Sequence, residues 1–286
     1  MARRREQRDS ELTTTLGSGR QAWFERIDDR WILNIDGTPQ SEVDLLDPTR
    51  LEFGYVRHMG HVLDLAFPAK QSLTAVHLGA GAMSLPRYIE ATRPGSRQQV
   101  LELERELIEL VRRVTPLPAH ASIRMRYGDA REQLTKLPEG LRGTVDALVV
   151  DVFAGDHTPA HLTSLEFFTE VASRLRPDGI VLANLADGTG LEFARRAVAT
   201  IRQAVGPVTL VADPAVLKGR RFGNIVAIAS RHEHDFEGLA RRVASGFPPA
   251  VMSEDARTTA WLRGAEPFAD SDATGSPSPD ASMFLR

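Results

Sequence analysis

The chain has 286 residues, of which 42% are hydrophobic and 26% charged, and its formal net charge is -3. This length and composition suit one large α/β domain with a small additional unit. The slightly negative net charge argues against nucleic-acid binding, which usually requires a clearly basic domain. Because there is no cysteine, disulfides, thiolate metal sites and a cysteine nucleophile are excluded.

The N-terminal part of the sequence predicts a short basic segment followed by a small unit. Residues 1–20 are rich in arginine at their start, and we expect them to be disordered. Residues 21–70 predict a small β-containing domain, in which a strand over 31–35 is followed by a turn at Asp36-Gly37. Apolar residues from Leu51 to Leu63 then recur at helical spacing.

Residues 71–265 alternate between apolar strands and amphipathic helices. The predicted strands cover 74–78, 99–103, 122–127, 145–150, 179–184, 208–212 and 224–230, and the longer helices cover 83–92, 105–114, 165–175 and 191–204. This alternation predicts an α/β fold, a Rossmann-like doubly wound sheet that is mostly parallel. Residues 266–286 are rich in Asp, Ser, Pro and Gly, which predicts a disordered tail.

The ends of the first two strands carry residues suited to a nucleoside. Gly79-Ala80-Gly81 follows the first strand, and glycines there permit a tight turn and close approach of a ligand to the backbone, although they can also serve only to shape the turn. Glu102 lies 23 positions beyond Gly79, near the spacing at which an acid accepts hydrogen bonds from ribose hydroxyls. Glu104 either shares that role or begins the next helix.

Acids also follow the third and fourth strands. Asp129, before Ala130, can accept from an adenine amino group or can cap the following helix. Asp151 follows an apolar run at the predicted mouth of the central crevice, where reaction chemistry is expected. Asp156 lies on the loop beyond it, and we interpret His157 as an ordinary loop residue.

These sites, in this order, resemble the spermidine synthase family of aminopropyltransferases. Asp36 to Gln40 looks like the family's Asp-Gly-x-x-Gln segment, and Glu52 to Met59 is similar to its Glu-Phe-x-Tyr-x-x-Met helix. The resemblance implies a methyltransferase-like Rossmann fold with a small N-terminal β-domain. It also implies that Asp151 is the catalytic aspartate, assisted by Tyr55, with Gln40 at the methylthio end of the donor.

The resemblance further implies a donor and partners. The co-substrate would be decarboxylated S-adenosylmethionine, with Gly79, Ala80, Gly81, Glu102, Asp129 and Ala130 around the nucleoside, and no metal would be needed. The acceptor would be a small-molecule amine, which Asp156 and Tyr55 would help to bind. We expect a cytoplasmic homo-oligomer, a dimer or tetramer, with no nucleic-acid or membrane partner.

Two departures from the family pattern point to its divergent, spermidine synthase-like branch. The Asp-x-x-Asp-Pro loop is not intact, since the next acid after Asp151 is Asp156, and the glycine turn is thinner than Gly-Gly-Gly-Asp-Gly. Three other functions stay open: an S-adenosylmethionine-dependent small-molecule methyltransferase, a non-catalytic nucleoside-binding homologue, and a dinucleotide dehydrogenase. The last is disfavoured because Ser84 stands where Gly-x-Gly-x-x-Gly has its third glycine.

Overall fold

The structure of the protein is a computed structural model that describes residues 11–232 and 234–279. Its N-terminal unit is a four-stranded antiparallel sheet. Its strands pair in the order β1-β2-β3-β4 and span β1 (Thr13–Thr15), β2 (Gln21–Ile27), β3 (Arg30–Ile35) and β4 (Thr38–Asp44). The predicted turn at Asp36-Gly37 joins β3 to β4, and both residues have positive φ, 48° and 84°. This is the backbone geometry of a tight hairpin whose twist matches that of its strands.

A second, eight-stranded sheet forms the main domain. Its strands are β5 (Thr74–Leu78), β6 (Arg97–Glu102), β7 (Ser122–Tyr127), β8 (Val145–Val150), β9 (Leu175–Asp187), β10 (Val208–Ala212), β11 (Gly223–Ser230) and β12 (Val251–Ser253). They pair in the order β12-β10-β11-β9-β8-β5-β6-β7. Neighbouring strands in the part of the sheet ordered β9-β8-β5-β6-β7 are parallel, whereas β11 pairs antiparallel with both β9 and β10. The prediction of a mostly parallel, doubly wound sheet is confirmed.

Helices connect and cover these strands. They are α1 (Gly54–Ala66), α2 (Ser84–Thr92), α3 (Arg105–Val114), α4 (Ala130–Thr135), α5 (Leu165–Arg174), α6 (Glu192–Ala204), α7 (Pro214–Leu217), α8 (Leu239–Ala244) and α9 (Asp255–Leu262). Within the described residues, no helix is long and apolar enough to cross a membrane.

Alternation along the strands buries side chains on both faces of the large sheet. On β8, Leu148 and Val150 pack with α4, α5 and α6, whereas Ala147 and Val149 face α1, α2 and α8. A third core joins the N-terminal sheet to α3 and to Met83 of the turn after β5. After β5 the polypeptide turns towards one face of the sheet, and after the neighbouring strand β8 it turns towards the other face. A crevice therefore opens at the carboxyl ends of these two strands.

The structure differs from the sequence prediction at the fifth strand. The sequence Arg176-Pro-Asp-Gly179 predicts a turn before a strand over 179–184, but β9 runs from Leu175 to Asp187. Its register with β8 shifts between Val145 and Ala147, and this irregularity accommodates the turn-like residues within the pairing. Strands β1, β2, β4 and β12 and helices α4, α7, α8 and α9 are further elements that the periodicity did not predict.

The terminal segments are also more ordered than predicted, in the parts that the structure describes. Phe268, within the predicted disordered tail over 266–286, is 1% exposed, and its carbonyl accepts a hydrogen bond of 2.8 Å from the backbone N–H of Leu165. Ser276 is also buried. At the other end, β1 lies inside the predicted disordered segment 1–20, and residues 1–10 and 280–286 lie outside the described residues.

Candidate functional site

A cavity of about 530 Å³ lies at the carboxyl ends of β5, β6 and β8. The N-terminal sheet and α1 form its other wall, contributing among others Arg20, Gln40 and Tyr55. Its carboxylates are Glu102, Glu104, Asp129 and Asp151, whereas Arg20 supplies a guanidinium. The excess of acids favours a ligand that carries positive charge.

The glycine turn after β5 brings the backbone of two strands into direct contact. Gly79 has a φ of 87°, and a Cβ built on it would lie 2.1 Å from the carbonyl oxygen of Asp151. Only glycine fits this position, on both steric and conformational grounds. Gly81 has a φ of 50°, and its Cβ would lie 3.2 Å from the side chain of Ser41 on β4. The turn is therefore enclosed by the Rossmann-like sheet on one side and by the N-terminal sheet on the other.

Glu102 ends β6 with its carboxylate fixed by the backbone. One oxygen accepts a hydrogen bond of 2.9 Å from the N–H of Ala80, and the other accepts one of 3.0 Å from the N–H of Glu104. Burial raises the pKa of Glu102, although these hydrogen bonds oppose that rise. Each oxygen keeps a free lone pair, so the carboxylate can accept from both hydroxyls of a ribose.

Asp129, two residues beyond the end of β7, caps the next helix, which is one of the two roles that its sequence context allows. One oxygen caps α4 by accepting from the N–H of Glu132 at 3.0 Å, and the other accepts from Nε2 of His161 at 2.6 Å. Burial opposes ionisation, but these hydrogen bonds outweigh it and lower the pKa of Asp129. Asp129, Ala130 and His161 all line the cavity, so the carboxylate remains accessible to a nucleobase.

Asp151 lies beyond the end of β8, between Tyr55 and Asn184. The Tyr55 hydroxyl donates to Oδ2 at 3.2 Å, and the Asn184 amide donates to Oδ1 at 2.8 Å. Burial raises the pKa of Asp151, while these two hydrogen bonds lower it in part. Burial, and then the charge of Asp151, raise the pKa of Tyr55 well above 10, so its hydroxyl stays protonated and donates. A carboxylate poised in this way can orient a donor group and accept its proton.

Asp156 does not line the cavity, and its role in binding the amine stays a prediction. The N–H of Ala154 donates to the carbonyl of His157 at 2.8 Å, and this tight turn carries Asp156 to the outside. There its carboxylate accepts from the hydroxyl of Ser278 at 2.9 Å and faces His157 at 3.3 Å. Gln40, by contrast, faces the cavity from β4.

Sequence reasoning missed three residues of the site. Asn184 is 3% exposed within the otherwise apolar stretch 180–186 of β9, and that isolated buried amide was the signal available. His161 carried no sequence signal, because its partner Asp129 is 32 positions away. Arg20 belonged to the segment predicted to be disordered, yet its Nε donates to Asp36 at 2.9 Å and its side chain lines the cavity.

The fold and the site together define a class of protein: a methyltransferase-type Rossmann-like domain with a small N-terminal β-unit and an acidic cavity at its crevice. No known protein-family profile matches the chain. A polyamine aminopropyltransferase of Vibrio vulnificus is 28% identical over 137 residues, which cover 47% of this chain and 44% of that protein. One from Neisseria meningitidis is 28% identical over 152 residues, covering 53% and 56%. The chain therefore matches about half the length of these relatives.

Solved structures extend the similarity to most of the chain. A probable spermidine synthase from Corynebacterium glutamicum is 29% identical, with a TM-score of 0.81 over 90% of this chain and 95% of the other. The spermidine synthase of Thermotoga maritima, at 14% identity, shares the fold with a TM-score of 0.57 over 88% and 84%. The chain is therefore similar to polyamine aminopropyltransferases over about half its length and to a probable spermidine synthase over most of it.

Proposed function

We propose that this protein transfers an aminopropyl group from decarboxylated S-adenosylmethionine to a small-molecule amine and releases methylthioadenosine. The observation that carries the proposal is the carboxylate of Asp151, held between Tyr55 and Asn184 directly beside the glycine turn. The names of the relatives, polyamine aminopropyltransferase and probable spermidine synthase, support the same reaction.

The donor would lie along the carboxyl ends of the strands. Glu102 would accept hydrogen bonds from the ribose hydroxyls, and Asp129 would accept from the amino group of adenine while Ala130 packs against the base. The sulfonium would then lie near Gly79 and Gln40, where the backbone approaches closely. The acidic lining of the cavity would stabilise the positive sulfur and the ammonium group of the aminopropyl chain.

The reaction is a displacement at carbon. The lone pair of the acceptor nitrogen forms a bond to the aminopropyl carbon that is attached to sulfur, and the bond between that carbon and sulfur breaks. The electron pair of that bond goes to sulfur, which becomes the neutral thioether of methylthioadenosine. The nitrogen gives up one proton. Because a sulfonium is a good leaving group, positioning of the two reactants supplies much of the remaining acceleration.

Deprotonation of the acceptor is the step for which the protein must provide chemistry. An alkyl amine resembles lysine, with a pKa of about 10.4, so only about one molecule in two thousand is neutral at pH 7. The free-energy cost of deprotonating the amine at pH 7 is therefore about 4–5 kcal/mol. Asp151 would orient the attacking nitrogen and accept its proton, directly or through water, while Tyr55 completes the hydrogen-bond network.

Calorimetric titration of the purified protein with methylthioadenosine, S-adenosylmethionine and decarboxylated S-adenosylmethionine tests the donor. We expect preference for the decarboxylated donor. Turnover is then measured as methylthioadenosine released with putrescine, spermidine, cadaverine or agmatine as the acceptor. The Asp151→Asn variant is the matched control, because it keeps the shape of the side chain but removes the base.

The other outcomes overturn the proposal in distinguishable ways. Preference for the carboxylated donor would indicate a methyltransferase. Binding of methylthioadenosine without turnover of any amine would indicate a non-catalytic nucleoside-binding protein. If none of the three compounds binds, the cavity is not a nucleoside site of this kind.

A further inference from the structure

We propose that Asn184 and Asn224 are positioning residues, which form a hydrogen-bonded chain that holds Asp151 as a proton acceptor. The expected kinetic effect rests on the proposed function, but the hydrogen-bonded chain itself can be tested without turnover. It extends the site across three strands, from the cavity at Asp151 to the surface at Asn224.

The three residues form one polar row across the sheet. Val150 of β8 pairs with Ala183 of β9, so Asp151 is the next residue beyond β8 and lies beside Asn184. On the other side, Asn184 pairs with Val226 of β11, two residues from Asn224. Because side chains alternate along a strand, all three point to the sheet face that α1 covers.

The distances connect the row into a continuous chain. The Asn184 amide nitrogen donates to Oδ1 of Asp151 at 2.8 Å, and its amide oxygen accepts from the Asn224 amide nitrogen at 2.9 Å. The chain continues on the other side of Asp151, where the Tyr55 hydroxyl donates to Oδ2. Asn184 is buried, whereas Asn224 is exposed.

The order of donors and acceptors gives the chain a fixed direction. An ionised carboxylate can only accept hydrogen bonds, so Asn184 must turn its NH₂ group towards Asp151. If the amide of Asn184 flipped, its oxygen would face the carboxylate. Asn224 opposes that flip, because its NH₂ group donates to the oxygen of Asn184 and would otherwise face the NH₂ group of Asn184. Asn224 therefore acts on Asp151 only through Asn184.

The chain matters because Asp151 is subject to two opposing effects. Burial raises its pKa, and the hydrogen bonds from Asn184 and Tyr55 lower it. Tyr55 from α1 is the titratable group in contact with it. The other titratable groups that line the cavity lie on separate elements. Arg20 precedes β2, Glu102 ends β6 with Glu104 just beyond it, and Asp129 and His161 are hydrogen-bonded to each other. Burial lowers the pKa of His77 on β5 to about 4, so that His77 stays neutral. Loss of the Asn184 bond therefore moves protonation of Asp151 to higher pH.

The experiment compares Asn184→Ala and Asn224→Ala with Gln203→Ala, a control that removes an exposed side-chain amide from α6. Asn224→Ala is informative even if Asn184→Ala fails to fold, because Asn224 is exposed. The first readout is the ¹³C chemical shift of the Asp151 carboxyl as a function of pH, assigned by its absence in Asp151→Asn. The second is the pH profile of kcat/KM.

We expect the midpoint of the Asp151 titration to rise by about one pH unit in Asn184→Ala and by a smaller amount in Asn224→Ala. The acidic limb of kcat/KM should move by the same amounts, and methylthioadenosine affinity should stay within about twofold of the original. Gln203→Ala should change neither readout. An unchanged titration in both asparagine variants would overturn the inference. A shifted titration in a protein that turns over no amine would support the chain while contradicting the proposed function.

Discussion

The hydroxyl of Tyr55 donates a hydrogen bond of 3.2 Å to Asp151, across 96 positions of sequence. Tyr55 lies on α1, which follows the N-terminal sheet, and Asp151 follows β8 of the Rossmann-like sheet. The bond therefore joins the two parts of the chain at the residue to which we assign proton transfer, so the carboxylate depends on both parts for its environment.

Replacement of Asp151 by Asn should lower activity and raise stability. We expect kcat to fall by about 10²- to 10⁴-fold, because the base is lost. Burial raises the pKa of Asp151 above its unfolded value, so its contribution to stability is present at acidic pH and is lost as pH rises through the folded-state pKa. The variant should therefore have a higher Tm than the original protein at pH 8 and no such advantage at pH 3. Equal Tm values at pH 8 would contradict this account.

Replacement of Gly79 by Ala should abolish nucleoside binding and destabilise the fold. The new Cβ would clash with the carbonyl oxygen of Asp151, and the backbone is already at a positive φ of 87°. Gly95→Ala is the matched control, because Gly95 has a φ of 82° but no atom within 4 Å of its Cβ position. In urea denaturation we expect a loss of about 1–2 kcal/mol for the control, from backbone strain alone, and a clearly larger loss for Gly79→Ala.

Replacement of Glu102 by Gln should weaken the binding of methylthioadenosine. Its two carboxylate oxygens already accept hydrogen bonds from the backbone N–H groups of Ala80 and Glu104. The amide of Gln has only one oxygen, which cannot accept both of these hydrogen bonds and those from the ribose hydroxyls. We expect about a 10- to 100-fold loss of affinity by calorimetry. Glu104→Gln serves as the comparison and should lose less. Unchanged affinity in Glu102→Gln would remove Glu102 from the nucleoside site.

Replacement of Phe268 by Ala should destabilise the protein, although a disordered tail was predicted for this segment. Phe268 is 1% exposed and packs against Phe193 with 5.9 Å between ring centroids. Removal of a buried phenylalanine side chain costs about 3–5 kcal/mol. Phe247→Ala is the control, since Phe247 is 90% exposed and its loss should change the free energy of unfolding by less than about 0.5 kcal/mol. Equal stability of the two variants would show that Phe268 does not pack in solution.

Residues at strand ends were the part of the site that the sequence could predict. Gly79, Glu102, Asp129 and Asp151 each follow or end a predicted strand, and the carboxyl ends of parallel strands meet at one edge of a sheet. Asn184 could not be paired with Asp151 in advance, because that contact depends on the register between β8 and β9, which includes a shift. The outward position of Asp156 could not be predicted, because proximity in sequence does not show which way a tight turn directs a side chain.

The end of the chain was harder to predict for a different reason. Residues 266–279 have few apolar side chains, so composition indicates disorder, yet a single buried phenylalanine and several hydrogen bonds fix the segment. Arg131 pairs with Asp270 through two bonds of 2.7 Å, and the N–H of Thr158 donates to the buried Ser276 at 2.8 Å. Such long-range polar contacts leave no periodic signal in a sequence.

The contact between Gly79 and the carbonyl of Asp151 limits how this cavity can be remodelled. The main chain just after β5 and just after β8 lies close together there, so no side chain can be added at Gly79 without displacing a strand. The opposite wall consists of side chains from β3, β4 and α1, including Leu33, Gln40 and Tyr55, and these can change size without moving the sheet. Redesign of the protein towards a longer or bulkier amine should therefore begin with the N-terminal sheet and leave the Rossmann-like half unchanged.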